Sequence, residues 1–246
     1  MNFVIVHFNT PELTTCLLSN VRFMHPTANI FVFDNSNKRP LSVDAIETYH
    51  IIYYNNTNEH LLNFYERFAK EHLSIDPLIQ KINDLGSAKH ALTIDWLIKK
   101  LPVNEFVLLD SDVLLLKPID FCDNTKITIG SDNTAERKEK PVRKARILPY
   151  CQYFNTHLVK QHHISYFDSN RILGFDPEHT RGYDTGSSFY EDVLKRSPKL
   201  YNIKINLDKY IIHYKGGSWD NTRTKQPYNV FLEENIKLWH PGYFIK

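Results

Sequence analysis

Phe106-Val107-Leu108-Leu109-Asp110-Ser111-Asp112-Val113-Leu114-Leu115-Leu116 sets two carboxylates inside an otherwise apolar run. Burying an unpaired carboxylate is costly, so at Asp110 the chain leaves the core or the charges find partners. Phe106 to Leu109 predicts a buried strand. In an open parallel sheet, ligands bind beyond the carboxyl ends of the strands. A divalent cation carrying diphosphate oxygens meets both demands, because hard cations take oxygen ligands and use only one or two protein carboxylates in such sites. The plain alternative is a turn in which Asp110 and Asp112 cap backbone groups or pair with Lys117.

Working upstream, Phe3 to Phe8 is a short apolar run that predicts a buried strand. Thr10 then reads as a helix cap, with Pro11 at the first helical position and Leu13, Leu17, Val21 and Met24 at helical spacing. Ile30 to Phe33 predicts a second strand, ended by Asp34-Asn35-Ser36-Asn37. Ile51 to Tyr54 predicts a third. Leu61, Phe64, Tyr65 and Phe68 mark one helix face, and Ala91, Ile94, Ile98 and Leu101 another. Strands alternating with helices predict an α/β fold, an open, mostly parallel twisted sheet flanked by helices. Downstream, Ile127 to Gly130 predicts a strand and the polar, basic stretch 132–146 a loop. Ser187 to Arg196 predicts a helix stopped by Pro198, and Ile211 to Tyr214 a last strand running into Lys215-Gly216-Gly217-Ser218-Trp219.

The charge balance separates some function classes. The 246 residues carry a net charge of +2, and the positive charge is crowded into Arg137 to Arg146, so no nucleic-acid partner is expected. That segment is instead a candidate for peripheral contact with anionic lipid headgroups or a lipid-diphosphate acceptor. Cys16, Cys122 and Cys151 are odd in number and form no CxxC pair, which predicts a reducing compartment and no disulfide framework. The apolar start Met1 to Val6 lacks a basic leader and reads as a strand. With no membrane-length run, a cytoplasmic location is expected.

The acidic run, Leu108 to Leu116, resembles the DxD segment of GT-A-fold glycosyltransferases. Val4-Ile5-Val6-His7-Phe8-Asn9-Thr10-Pro11-Glu12-Leu13 with Cys16-Leu17 resembles the opening strand and helix of family-2-like bacterial members. Phe31-Val32-Phe33-Asp34-Asn35-Ser36 resembles their second strand, whose terminal Asp contacts the nucleobase or ribose. Gly86-Ser87-Ala88-Lys89-His90-Ala91 resembles the helix start set against the donor, where free N–H groups meet phosphate or sugar oxygens. The resemblance implies a metal-dependent enzyme that moves a sugar from a nucleotide-diphosphate-sugar donor to a polysaccharide or glycolipid acceptor. It implies a GT-A-like single domain over 1–246, with a nucleotide-sugar half at 1–120 and an acceptor half at 121–246. Asp112 becomes the primary ligand of Mn2+ or Mg2+, with Asp110 assisting and also addressing the donor. Thr10, Asp34, Ser87 and Lys89 fall on the donor side. A C-terminal His completes the metal site in many such enzymes, which assigns His213. Lys215 is placed to neutralise the departing diphosphate.

An inverting transfer also needs a carboxylate within about 3 Å of the acceptor hydroxyl. Asp184, in Arg181-Gly182-Tyr183-Asp184-Thr185-Gly186, is the first candidate, ahead of Asp192 in the Glu191-Asp192 pair. Asp184 also suits a helix cap. Tyr150 to Asn155 and Trp219 are candidates for a saccharide or lipid-linked acceptor platform. Two other classes stay open: a metal-dependent nucleotidyltransferase, against which stands the lack of glycine in His7-Phe8-Asn9-Thr10, and a non-catalytic nucleotide- or carbohydrate-binding protein of the same fold. Oligomeric state is not legible.

Overall fold

A computed structural model describes residues 1–36, 38–56, 86–133, 144–168, 171, 183–196, 199, 201–202, 205–214, 230–231 and 233–234. In chain order the elements are β1 (Asn2–His7), α1 (Pro11–Met24), β2 (Asn29–Asp34), α2 (Val43–Thr48), β3 (Ile52–Asn55), α3 (Gly86–Lys100), β4 (Glu105–Asp110), β5 (Val113–Leu115), β6 (Thr128–Ile129), β7 (Asp132–Asn133), β8 (Arg146–Ile147), β9 (Cys151–Asn155), α4 (Thr156–Gln161), α5 (Ser187–Arg196), β10 (Tyr201–Asn202) and β11 (Ile211–His213). They form two compact units. The first takes Met1–Thr57, Val107–Cys122 and Asn206–Lys246, the second Asn58–Phe106 and Asp123–Ile205. The units therefore interleave along the chain instead of dividing at residue 120. The return of the C-terminal segment follows from the pairing of β11 with β5.

In the first unit the parallel strands lie in the order β4-β1-β2-β3. Strand β1 sits between β4 and β2, and every residue from Phe3 to His7 is buried. That placement explains its unbroken apolar run, because an inner parallel strand is covered on both faces. Helix α1 starts at Pro11, whose missing N–H costs nothing in a first turn. It buries Leu13, Cys16, Leu17, Leu18 and Val21. Thr10 is the cap residue by position, yet its side chain caps nothing; its hydroxyl lies 3.1 Å from Ser111 Oγ instead. Behind the acidic turn, Leu13, Cys16, Leu114, Tyr214 and Phe231 form a small core, with Met24 and Ile212 against it.

In the second unit, β6 pairs antiparallel with β9 and parallel with β10. Helix α5 spans Ser187–Arg196, as its amphipathic pattern predicts. Phe106, Phe154, Tyr166 and Phe189 form its aromatic core, with ring centroids 4.9–5.6 Å apart. The 132–146 stretch, expected to be a loop, is paired at its base: Asp132 faces Ile147 and Asn133 faces Arg146. Of Tyr150–Asn155, expected as an acceptor platform, Tyr150 is half-buried and the rest lies in β9. Strand β9 is buried along its whole length, with Gln152 and Phe154 at 0% exposure. Ring-rich strands serve as core at least as readily as they serve as binding surfaces. The helix expected at Leu61–Phe68, most of the basic segment, Pro198, Lys215 and Trp219 lie outside the described residues.

Candidate active site

The carboxyl ends of β1, β2 and β4 carry polar residues in register. His7 faces Asp34 and Val6 faces Asp110. The Asp34 carboxylate is fully committed to its own turn. Its Oδ1 accepts the Ser36 N–H at 2.8 Å, and Oδ2 accepts the Leu41 N–H at 2.9 Å and the Tyr53 hydroxyl at 2.6 Å. At 0% exposure it presents no atom to a ribose as folded, and the structure gives it a turn-building role in place of the expected donor contact. Burial, then the bond to Asp34, pushes the Tyr53 phenol up. These partners were invisible in sequence, because Leu41 and Tyr53 lie 7 and 19 residues away.

His7, inside the apolar run Phe3 to Phe8, is a second buried polar residue here. Its Nε2 donates to the Arg39 carbonyl at 3.1 Å, since a carbonyl can only accept. Nδ1, 2.7 Å from Thr14 Oγ1, must then be the acceptor. Burial lowers its pKa, with Asp34 the largest opposing influence. Asn9, at φ +54°, ties the β1–α1 loop to the one after β2: its Oδ1 accepts both the Lys38 and Arg39 N–H groups at 3.0 Å.

Past β4 the chain turns at Ser111-Asp112, and both residues are buried. Strand β5 pairs antiparallel with β11, placing His213 opposite Val113. The Tyr214 N–H donates to the Asp112 carbonyl at 2.8 Å. Side chains 101 positions apart thus meet, with His213 Nε2 3.3 Å from Asp112 Oδ1. That oxygen is buried and accepts no hydrogen bond from the described residues. A buried carboxylate oxygen without a donor costs about 1–3 kcal/mol unless something else satisfies it. The donor set fits a divalent cation: one carboxylate oxygen and one imidazole nitrogen face each other, and Nε2 is an acceptor when the neutral ring carries its proton on Nδ1. Two adjacent ligands of an octahedral ion with bonds of about 2.0–2.1 Å lie about 3 Å apart, close to the separation seen. Asp110, half-buried, ends β4 two residues before Asp112. Among the described residues no three His, Cys, Asp or Glu side chains group as a metal set, so further ligands would come from donor phosphates or water. Lys117 joins neither carboxylate; it pairs with Asp120 at 3.7 Å and lies 3.9 Å over the Tyr210 ring.

The remaining candidates belong to the second unit. Ser87 and Lys89 fall in the first turn of α3, where burial lowers the Lys89 pKa. Asp184 is gripped: Oδ2 lies 2.6 Å from Arg146 Nη1, and Oδ1 accepts the Thr185 N–H at 2.8 Å. Asp192 meets Arg171 through both oxygens, at 3.0 and 2.7 Å. A guanidinium occupies the carboxylate oxygens it holds, which suits a structural role better than contact with an acceptor hydroxyl. Of the basic segment, Lys144 lies 5.2 Å over the Tyr183 ring and Arg146 holds Asp184. No described helix is long and apolar enough to cross a membrane.

No family model and no curated protein matches the chain. Solved structures do. Galactosyltransferase LgtC, in complex with donor and acceptor sugar analogues, matches over 82% of this chain and 73% of its own at 11% identity and a TM-score of 0.50. An active-site mutant of LgtC matches over 82% and 72%, also at 11% and 0.50. Mouse xyloside xylosyltransferase 1 covers 83% and 85% at 8% identity and a TM-score of 0.46. At such identities the likeness is one of fold, and it agrees with the parallel strand order: the chain has the GT-A glycosyltransferase fold.

Proposed function

We propose that this protein transfers a sugar from a nucleotide-diphosphate-sugar to a saccharide or lipid-linked acceptor, with Mn2+ or Mg2+ held by Asp112 and His213 and assisted by Asp110. The observation that carries this reading is the buried Asp112 Oδ1, which accepts no hydrogen bond among the described residues and faces His213 Nε2 at 3.3 Å in a GT-A fold. When bound, a divalent cation there supplies charge neutralisation to the leaving diphosphate.

The protein's own groups do the rest. Asp112 and His213 set a carboxylate oxygen and an imidazole nitrogen 3.3 Å apart. The Thr10–Ser111 hydroxyl contact ties the acidic turn to the start of α1. In this reading Ser87, Lys89 and Lys215 are further residues proposed for the donor phosphates, through N–H groups and cationic charge. Proton removal from the acceptor is assigned to neither Asp184 nor Asp192, because each is held by an arginine.

The deciding experiment is a panel of nucleotide-sugars with Mn2+, scored by thermal shift and then by product. A matching donor raises the melting temperature by mass action, and turnover releases nucleoside diphosphate. Release of pyrophosphate would identify a nucleotidyltransferase instead. Tight donor binding without turnover on any acceptor, or full activity in excess chelator, would overturn the proposal.

A further inference from the structure

On α1, Asn20 follows Leu13 by seven positions and Leu17 by three, so it falls on the face that buries the helix, and it is 0% exposed. A polar side chain there must be satisfied from within. Its Nδ2 donates to the Leu115 carbonyl at 3.0 Å and its Oδ1 accepts the Leu115 N–H at 2.6 Å. These partners leave one orientation for the amide, since a carbonyl only accepts and an N–H only donates.

The bonding along β5 explains the need. The Asp112 carbonyl accepts from the Tyr214 N–H at 2.8 Å and the Leu116 N–H donates to the Tyr210 carbonyl at 2.7 Å, so even-numbered residues bond toward β11. In an antiparallel ladder the residue between them points its N–H and C=O the other way. Leu115 is that residue, and Asn20 takes the place of a neighbouring strand. A second fastener follows on the same helix side, where His25 Nε2 accepts the Ile119 N–H at 2.9 Å.

We infer that Asn20 is a positioning residue for the Asp112–His213 pair: its amide clamps β5 to α1, and the ladder carries that placement to both ligating atoms. Asp112 precedes the clamped Leu115 by three residues, and His213 lies on the strand paired with it. Without the clamp, β5 is free to shift along α1 and open the 3.3 Å approach. This rests on the metal-binding reading above.

The test uses the full chain as N20L, which removes both bonds, and N20D, which keeps the size and an acceptor for the Leu115 N–H. D95N serves as the control. It weakens a buried carboxylate of the second unit that accepts the Ser165 hydroxyl and the Tyr166 N–H. Two quantities are read: Mn2+ affinity by calorimetry, and the His213 ring 15N resonances in metal-free protein. We expect N20L to lose Mn2+ affinity tenfold or more, as supports of metal ligands commonly do, and N20D to lose less. The His213 resonances should move in N20L and stay in place in D95N. Wild-type affinity with unmoved resonances in both Asn20 variants overturns the inference, as does an equal loss in D95N. If the wild type binds no Mn2+ while the resonances still move in N20L, the metal reading fails and the positioning role stands.

Discussion

Replacing Asp112 by Asn should reverse its stability ranking against the wild type depending on metal. Among the described residues, Asp112 Oδ1 is buried, accepts no hydrogen bond and has His213 Nε2 at 3.3 Å. An unsatisfied buried acceptor costs about 1–3 kcal/mol. An asparagine amide can turn its NH2 toward Nε2 and make the missing bond. The His213 contact already offsets part of the penalty, so the lower end applies and D112N should gain about 1 kcal/mol in chelator. For a chain of this size that is roughly 2–4 °C in melting temperature. Saturating Mn2+ inverts the order. At a hundred times its dissociation constant a ligand stabilises by about 2.7 kcal/mol, which the wild type should show and D112N should largely lose. Thermal and urea unfolding of both proteins, in chelator and in Mn2+, measure the crossing directly. Two results would refute the reasoning. A D112N protein less stable than wild type by more than about 1 kcal/mol in chelator would mean the oxygen is well satisfied within the fold. Equal Mn2+ stabilisation of both would mean the metal binds elsewhere.

D184N should cost about 1–2 kcal/mol by weakening the half-buried Arg146 contact at the base of the β7–β8 pair. It should leave sugar transfer within tenfold of wild type, and a loss of a hundredfold or more at unchanged stability would restore Asp184 as the base. Gly186→Ala should cost more than about 2 kcal/mol by urea midpoint, because Gly186 sits at φ +86° and a Cβ there would overlap the Ile147 carbonyl. A neutral substitution would discredit that turn. Burial lowers the His7 pKa below its ordinary 6.5, so the unfolded chain binds the proton more readily than the fold does. The His7 contribution is therefore complete above pH 6.5 and lost as pH falls below it, by up to about 1.4 kcal/mol per pH unit. The stability difference between pH 7.5 and pH 5.5 should shrink in H7Q, and an unchanged difference would rule His7 out as its source.

Local chemistry carries far in this protein. The apolar runs at Phe3–Phe8, Ile30–Phe33 and Phe106–Leu109 can be read directly, because inner parallel strands are buried on both faces and show it as unbroken hydrophobicity. Pro11 marks the start of α1 through its own covalent geometry. Ser187–Arg196 announces a helix by periodicity alone. The acidic turn stands out because carboxylates inside an apolar run demand an explanation.

What sequence order could not decide is which of these features meet. Asp112 and His213 converge only through the register of two three-residue strands, and no local preference specifies that register. Asp34 looks like a ligand contact in a linear motif, yet Ser36, Leu41 and Tyr53 fill its lone pairs. Thr10 looks like a cap, but Ser111 takes its hydroxyl. Asn20 satisfies the Leu115 backbone, 95 positions away, and nothing near it in sequence names that partner. The physical division is between burial and pairing. A residue's hydrophobicity and its near neighbours foretell whether it is buried, whereas the partner of a buried polar group is chosen by the packing of segments far apart in the chain.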